Sequence, residues 1–459
     1  MIISKHNLAA YPKQGLGRRA FGLSLAAALA FGLCVSGPTR AQPQADNSPA
    51  WNETSHGWRW HVESIASAVN DGFQLALDPH AGLVYVVDAA WRAEERDPEG
   101  RVWVVRTASG KLVVFNSSDR SLVGVHSYLD LTRSDGSGTE RVPLDWASVT
   151  DPAVSQQTSM RTTFSPYGVA IDSQTFASDG KPDATIVTTA VRGRDPAYGH
   201  GGHLVIYRAS QGAPTDADRV WQLPDGSPAF AGMRRVVVNS RTHKAYVTNM
   251  GGSSLPGYIA VVDLPSKTVE ARVPLPAEGG VIGVTIDEDH NLVYVGSLRT
   301  PKLHVFDADA VNTSDATSLT LNADLMRTLD QDVGSNARPE YDPVTKRVYV
   351  ASFGSPSGRI SAIDANPASA SYGEVLASVE AGQTNALTID GQRGLVFSAN
   401  LGDREVAVHD ANSLALLLRI PTSGQPVNTA IDPQTGDVWV ANRGDAGKVD
   451  VIRLRAPSK

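Results

Sequence analysis

Cysteine is almost missing from this chain. Among 459 residues the only one is Cys34, which lies in an apolar stretch running from Ala20 to Val35. If that stretch is removed by processing, what remains has no disulfide, no thiolate nucleophile and no Cys-ligated metal. Cys34 itself is poorly placed for lipid attachment, because Phe31-Gly32-Leu33 is not a small-residue context. Long hydrophobic runs are missing too: outside the N-terminus none reaches the ~18–20 residues of a membrane span. GxSxG, HExxH, P-loop and paired-Cys motifs are absent, which removes the best-marked hydrolase, metalloprotease and nucleotide-binding chemistries. No cofactor ligand set is evident. What is present is a turn-rich globular composition, with 41 glycines, 27 prolines, 41% apolar and 19% charged residues.

The first 41 residues also lack acidic side chains. They hold five Lys/Arg, an apolar stretch and a small-residue cleavage site around Thr39-Arg40-Ala41, the layout of an export signal. Within it, Gly17-Arg18-Arg19-Ala20-Phe21-Gly22-Leu23 resembles the twin-arginine export motif, with departures at Gly17 and Gly22. An ordinary secretory signal with a chance Arg pair is the other reading. Either route implies an exported protein, periplasmic in a Gram-negative host. Removing residues 1–41 leaves 36 basic against 48 acidic residues, a formal net charge of −12. Nucleic-acid or anionic-membrane binding through bulk charge is therefore not expected. Residues 42–56 read as a flexible linker.

A repeat fills the rest of the chain. Each copy has an alternating strand, a turn Asp or Asn, and an aromatic seven residues later. The turn residues are Asp78, Asp172, Asn239, Asp287, Asp342, Asp390 and Asp432. The aromatics are Tyr85, Tyr246, Tyr294, Tyr349, Phe397 and Trp439; the second copy lacks one. Before each turn, the residues one and three places back are mostly large and apolar, as in Leu77/Leu75 and Ile286/Val284. This period of two marks a strand, closed by an Asp that caps backbone N–H groups. A third strand ends in Asp in several copies, as in Val261-Val262-Asp263, and a fourth leads to the next copy. Four antiparallel strands per copy and seven copies predict an all-β, seven-bladed β-propeller over residues 57–455. The last copy lacks a fourth strand, and Trp58–Ile65 is spare. This N-terminal strand is expected to complete blade seven and close the ring.

The sequence Ala245-Tyr246-Val247-Thr248-Asn249 resembles the signature of the YVTN-repeat propellers, the YncE-like and surface-layer type. The register recurs in Leu292-Val293-Tyr294-Val295-Gly296 and Arg347-Val348-Tyr349-Val350-Ala351. This resemblance implies the fold and is silent on function, which sits in grafted sites.

Blades one and two depart from the pattern. From the turn Asp to the end of the third strand takes 38 residues in blade one and 36 in blade two, against 20–24 in the others. The insertions predict a cap from about 89–104, 127–165 and 190–203, and long loops on a rigid scaffold commonly carry binding sites. The densest polar cluster is Arg192-Gly193-Arg194-Asp195-Pro196-Ala197-Tyr198-Gly199-His200-Gly201-Gly202-His203. His200 and His203 are the only metal candidates, and they lack a carboxylate pair in metal spacing. Ser178–Asp183 resembles the core of a calcium loop but has too few oxygen ligands before it, so a plain turn is expected.

A second candidate site lies at the channel mouth. Gln74, Arg235, Arg338 and Asn428 occupy one slot, four residues before the turn Asp. Arg234 precedes Arg235, and Tyr167 and Asn385 lie one step further out. Arginines lining a funnel in an acidic protein predict an anion site built on planar guanidinium donors. The competing expectation is internal pairing, for instance of Arg338 with Glu340. The functional expectation is a monomeric binding or interaction module for a small anionic ligand, peptide or cell-envelope partner. Its ligand-binding residues would be Gln74, Tyr167, Arg192, Arg194, Arg234, Arg235, Arg338, Asn385 and Asn428. The alternative is a lactonase-like hydrolase or lyase using His200 or His203 with Asp195 or Glu95 under the cap.

Overall fold

The computed structural model describes residues 51–457 except 55–56, 66–68, 70, 90–91, 97–101, 107–109, 128–163, 175–183, 193–201, 211–212, 221–229, 231, 252–256, 277–279, 314–321, 323, 330, 354–357 and 445–447. Seven radial sheets form the blades. Their innermost strands are Gly72–Asp78, Phe164–Asp172, Met233–Asn239, Val281–Asp287, Ala337–Asp342, Thr384–Asp390 and Gln425–Ile431. Each packs against the next and the seventh against the first, so the ring is closed. The chain is a seven-bladed β-propeller, as the repeat predicts.

The turn residue does the same work in every copy. Asp78, Asp172, Asn239, Asp287, Asp342, Asp390 and Asp432 each accept a hydrogen bond from a backbone N–H two or three residues on, at 2.8–3.2 Å. That bond closes the hairpin and sets its register. The aromatic then falls on the second strand, opposite the residue two places before the turn, as in Tyr85 opposite Ala76 and Tyr349 opposite Glu340. All six aromatics are fully buried. They fill the wedges between blades; Trp439 of blade seven meets Phe115 of blade one at 6.0 Å between centroids. In blade two the second strand, Ala184–Arg192, places Val187 opposite Ala170, so a buried aliphatic fills the slot the missing aromatic would take.

Closure is by the N-terminal strand. Arg59–Ile65 pairs antiparallel with Val449–Arg455 from Arg59 opposite Arg455 to Ile65 opposite Val449. A two-residue strand, Asn52–Glu53, N-terminal to the boundary expected at residue 57, adds a fifth strand to that sheet. An ion-pair cluster ties the composite blade to its neighbour: Arg120 of blade one reaches Asp437 at 2.6 Å and Glu63 at 3.1 Å.

Of the expected cap, the part near 89–104 contains an additional hairpin, Arg92–Arg96 paired with Val102–Arg106. The export segment at residues 1–41, most of 127–165, residues 193–201 and the turn Ser178–Asp183 lie outside the described residues. Among the described residues no helix is long and apolar enough to cross a membrane.

Candidate functional site

The funnel end of the channel is built by a repeated irregularity. In six of the seven inner strands the pairing register slips by one residue near the start. The extra residues at these β-bulges are Phe73/Gln74, Tyr167, Arg234/Arg235, Ile282, Asn385 and Val427. A bulge kinks the strand and re-aims its side chains, and here all eight residues line one cavity of about 320 Å³. Two further arginines complete the lining: Arg338, from the one inner strand without a bulge, and Arg443, from the second strand of blade seven. The freed backbone is satisfied locally; Thr189 Oγ1 accepts from Gly168 N and Thr248 Oγ1 from Arg235 N, both at 2.8 Å.

Large and small residues alternate around this tier. A Cβ on Gly168 would lie 2.9 Å from the Arg234 carbonyl oxygen, and one on Gly283 would lie 2.8 Å from the Arg338 Cα. These two glycines let the arginine-bearing strands of blades three and five press against their neighbours.

Three of the four arginines lie over an aromatic ring. Arg338 lies 5.6 Å from the Phe353 ring centroid. Arg234 lies over the Tyr167 ring at 4.6 Å and its Nε donates to Met250 Sδ at 3.1 Å. Arg443 lies 5.8 Å from the Phe73 ring centroid and 3.5 Å from Asp71 Oδ1. Phe73 and Tyr167 meet edge to face at 4.4 Å, forming an aromatic wall between them. Arg235 and Arg338 have no carboxylate within ion-pair distance among the described residues. Arg235 Nη2 reaches across the axis to the backbone oxygen of Asn385 at 3.4 Å. Arg338 has a buried Nη1 without a hydrogen-bond partner, and Gln74 has a buried Oε1 in the same condition.

Electrostatics follow from this crowding. Burial, with the charges of Arg235 and Arg234 beside it, pushes the Arg338 guanidinium down to about 9. Burial also lowers Arg235, against the opposing pull of Glu340. Glu340 is pushed up to about 7 by burial, with Arg235 drawing it the other way. The expected pairing of Arg338 with Glu340 is therefore replaced: the carboxylate acts on Arg235. An arginine-rich cavity of this kind can accept carboxylate, sulfonate or phosphate oxygens through charge-assisted hydrogen bonds.

Of the residues expected from sequence, Gln74, Tyr167, Arg234, Arg235, Arg338 and Asn385 come together here. Asn428 does not line the cavity; its Oδ1 accepts from Leu75 N at 3.2 Å and clips blade seven to blade one. Arg194, Asp195 and His200 lie outside the described residues, as do the side chains of Glu95 and Arg192. His203 is buried in the third strand of blade two, with 4% of its surface exposed. Among the described residues no group of three or more His, Cys, Asp or Glu could hold a metal ion. Sequence reasoning missed Phe73, Ile282, Val427 and Arg443. The first three share the position of Tyr167 and Asn385, five residues before the turn Asp, and that shared position was the available signal.

A larger cavity, about 510 Å³, opens between blades two and three. Its charged side chains have local partners: His243 Nδ1 lies 2.6 Å from Asp172 Oδ2, Lys267 pairs with Asp218, and Arg208 donates to Thr185 Oγ1 at 3.1 Å. It offers less to an incoming anion than the funnel does.

Fold and site thus define a seven-bladed propeller with an arginine-lined axial funnel. No family model matches the chain, and no curated protein matches it. Solved structures do. The β-propeller domain of Cps50 (Swd1) from Myceliophteria thermophila aligns with a TM-score of 0.52 at 8% identity, covering 88% of this chain and 99% of that one. A chain of the mitotic checkpoint complex aligns with a TM-score of 0.50 at 12% identity, covering 93% and 98%. Hydrazine synthase of Kuenenia stuttgartiensis aligns at 0.51 and 12% identity, covering 86% and 98%. At these identities the likeness is one of fold.

Proposed function

We propose that this protein is an exported binding module that holds a small anionic ligand, or the anionic end of a peptide or envelope partner, in its axial funnel. The observation that carries the reading is the pair Arg235 and Arg338, brought from different blades into one cavity with no carboxylate within ion-pair distance of either among the described residues. Holding like charges together costs free energy, which a bound anion would offset. The propeller fold suits an interaction role, and the mitotic checkpoint complex has a chain of the same architecture. The basic, acid-free N-terminus supports export, and the YVTN-like second strands support kinship with that propeller family. The hydrolase or lyase alternative rests on Glu95, Asp195 and His200, whose side chains lie outside the described residues, and on His203, which is buried.

The test is the double substitution R235Q/R338Q, with calorimetric titration of small carboxylates, sulfonates and inorganic phosphate. Each lost charge-assisted bond is worth about 1.5–3 kcal/mol, so affinity should fall at least ~100-fold. Thermal stability should change little, because Glu340 neutralises by taking a proton once Arg235 is gone. Failure of the wild type to bind any of these anions, together with a large drop in melting temperature in the variant, would show that the arginines serve the fold.

A further inference from the structure

We infer that anion binding in the funnel is coupled to uptake of a proton by Glu340, which shares Arg235 with the ligand. This rests on the anion-binding reading above and adds its regulation. Arg235 lines the cavity and spans the axis to Asn385 O, so its guanidinium forms part of the floor. Glu340 does not line the cavity; it lies two residues beyond Arg338 on the same inner strand and hence on the same side of it. An anion above and a carboxylate below compete for one guanidinium. Ionised Glu340 attracts Arg235 and adds negative charge beneath the ligand; protonated Glu340 does neither.

The surroundings of Glu340 leave little else to answer it. The inner strands packed on either side present Thr285 and Thr388 at its level, and Ala76, Ala170, Val237 and Ala430 occupy the same position in the other blades. The Thr285 hydroxyl accepts from Tyr341 N and the Thr388 hydroxyl donates to Thr429 O. On its own blade Glu340 faces the buried Tyr349. Arg235 is the charge that acts on it, while the Arg338 guanidinium next along the strand is acted on by Arg235 and Arg234. The turn residues Asp287, Asp342 and Asp390 lie at the far ends of these strands, capping their hairpins. Burial holding the Glu340 carboxyl near 7 places its titration in the neutral range, where the competition can operate. No histidine lines the cavity among the described residues.

The direction follows from linkage. A bound anion disfavours ionised Glu340, so binding draws in a proton and affinity rises as pH falls. Benzene-1,3-disulfonate is a suitable probe because it stays fully ionised across the range. Calorimetry at pH 6, 7 and 8 in two buffers of different ionisation enthalpy should show fractional proton uptake at pH 7. Affinity should be roughly three- to tenfold tighter at pH 6 than at pH 8. E340Q should bind with pH-independent affinity and no proton uptake.

Binding by the wild type with equal affinity at all three pH values would overturn the coupling and leave the anion funnel standing. Absence of binding by both proteins would overturn the funnel reading and the coupling with it. A ligand-free measurement separates the two. Because folding raises the Glu340 pKa, this group stabilises the fold fully only at low pH and loses that contribution as pH rises towards about 7. E340Q should therefore gain melting temperature over the wild type between pH 5 and pH 8. A difference that stays constant would overturn the coupling whatever the funnel binds.

Discussion

At their turn ends the seven inner strands are nearly interchangeable: each ends in, or is followed at once by, an Asp or Asn whose side chain caps the turn. At their funnel ends they diverge. The same two positions read Phe73-Gln74, Tyr167-Gly168, Arg234-Arg235, Ile282-Gly283, Ala337-Arg338, Asn385-Ala386 and Val427-Asn428 around the ring. A turn cap serves only the hairpin it closes, so repetition there reproduces the blade. The funnel ends converge on a shared space, where seven identical side chains would either collide or leave a uniform hole. Variation at that end can build a site without touching the element that builds the fold.

That contrast can be broken or sharpened by substitution. The largest effect should come from removing what closes the ring, since both ends of every inner strand depend on closure. Deleting residues 42–66 strips the Arg59–Ile65 ladder and the Glu63 contact to Arg120, and uncovers the edge of Val449–Arg455. A loss on the order of 5 kcal/mol or more is expected, with aggregation through the bared edge. Unchanged denaturation midpoint and solubility would show that blade seven holds without its N-terminal strand.

Next in size is Gly283→Ala. The new Cβ would meet Pro339 Cδ at 2.7 Å and the Arg338 backbone at 2.8 Å, a clash that costs about 1–3 kcal/mol. Because the strand that must move carries Arg338, anion affinity should fall with stability. A variant that loses stability and keeps full affinity would uncouple the two ends more completely than the geometry implies.

The smallest effect should be at a single turn cap. Asp78→Ala removes the acceptor for His80 N and Ala81 N, at a cost of about 1 kcal/mol, and should leave anion binding untouched. A shift in affinity measured by titration would mean that the turn end reaches the funnel after all.

Much of this is legible in the sequence alone. Asp432-Pro433, the alternation before each turn and the aromatic seven residues on are local signals, and local hydrogen bonding and strand periodicity decide them. Trp58–Ile65 could be assigned to blade seven because the last copy visibly lacked a strand. Six funnel residues could be grouped because a repeat gives them equivalent positions. The β-bulges were not legible. They add a residue without altering the alternation of the strand core, so Phe73, Ile282 and Val427 looked like ordinary apolar strand residues. Arg443 looked like the end of a second strand, with nothing to aim it at the axis.

The sequence by itself determined the number of blades, the capped turns, the wedge aromatics and the closing strand, since each is written within one repeat or in its absence. Only the tertiary structure decided which guanidinium meets which carboxylate. Sequence proximity pairs Glu340 with Arg338, two residues away on one strand. Curvature of the ring instead brings Arg235 from blade three towards Asn385 of blade six and into the field of Glu340. Charges interact through space with a strength set by distance and burial, and both are products of the closed ring.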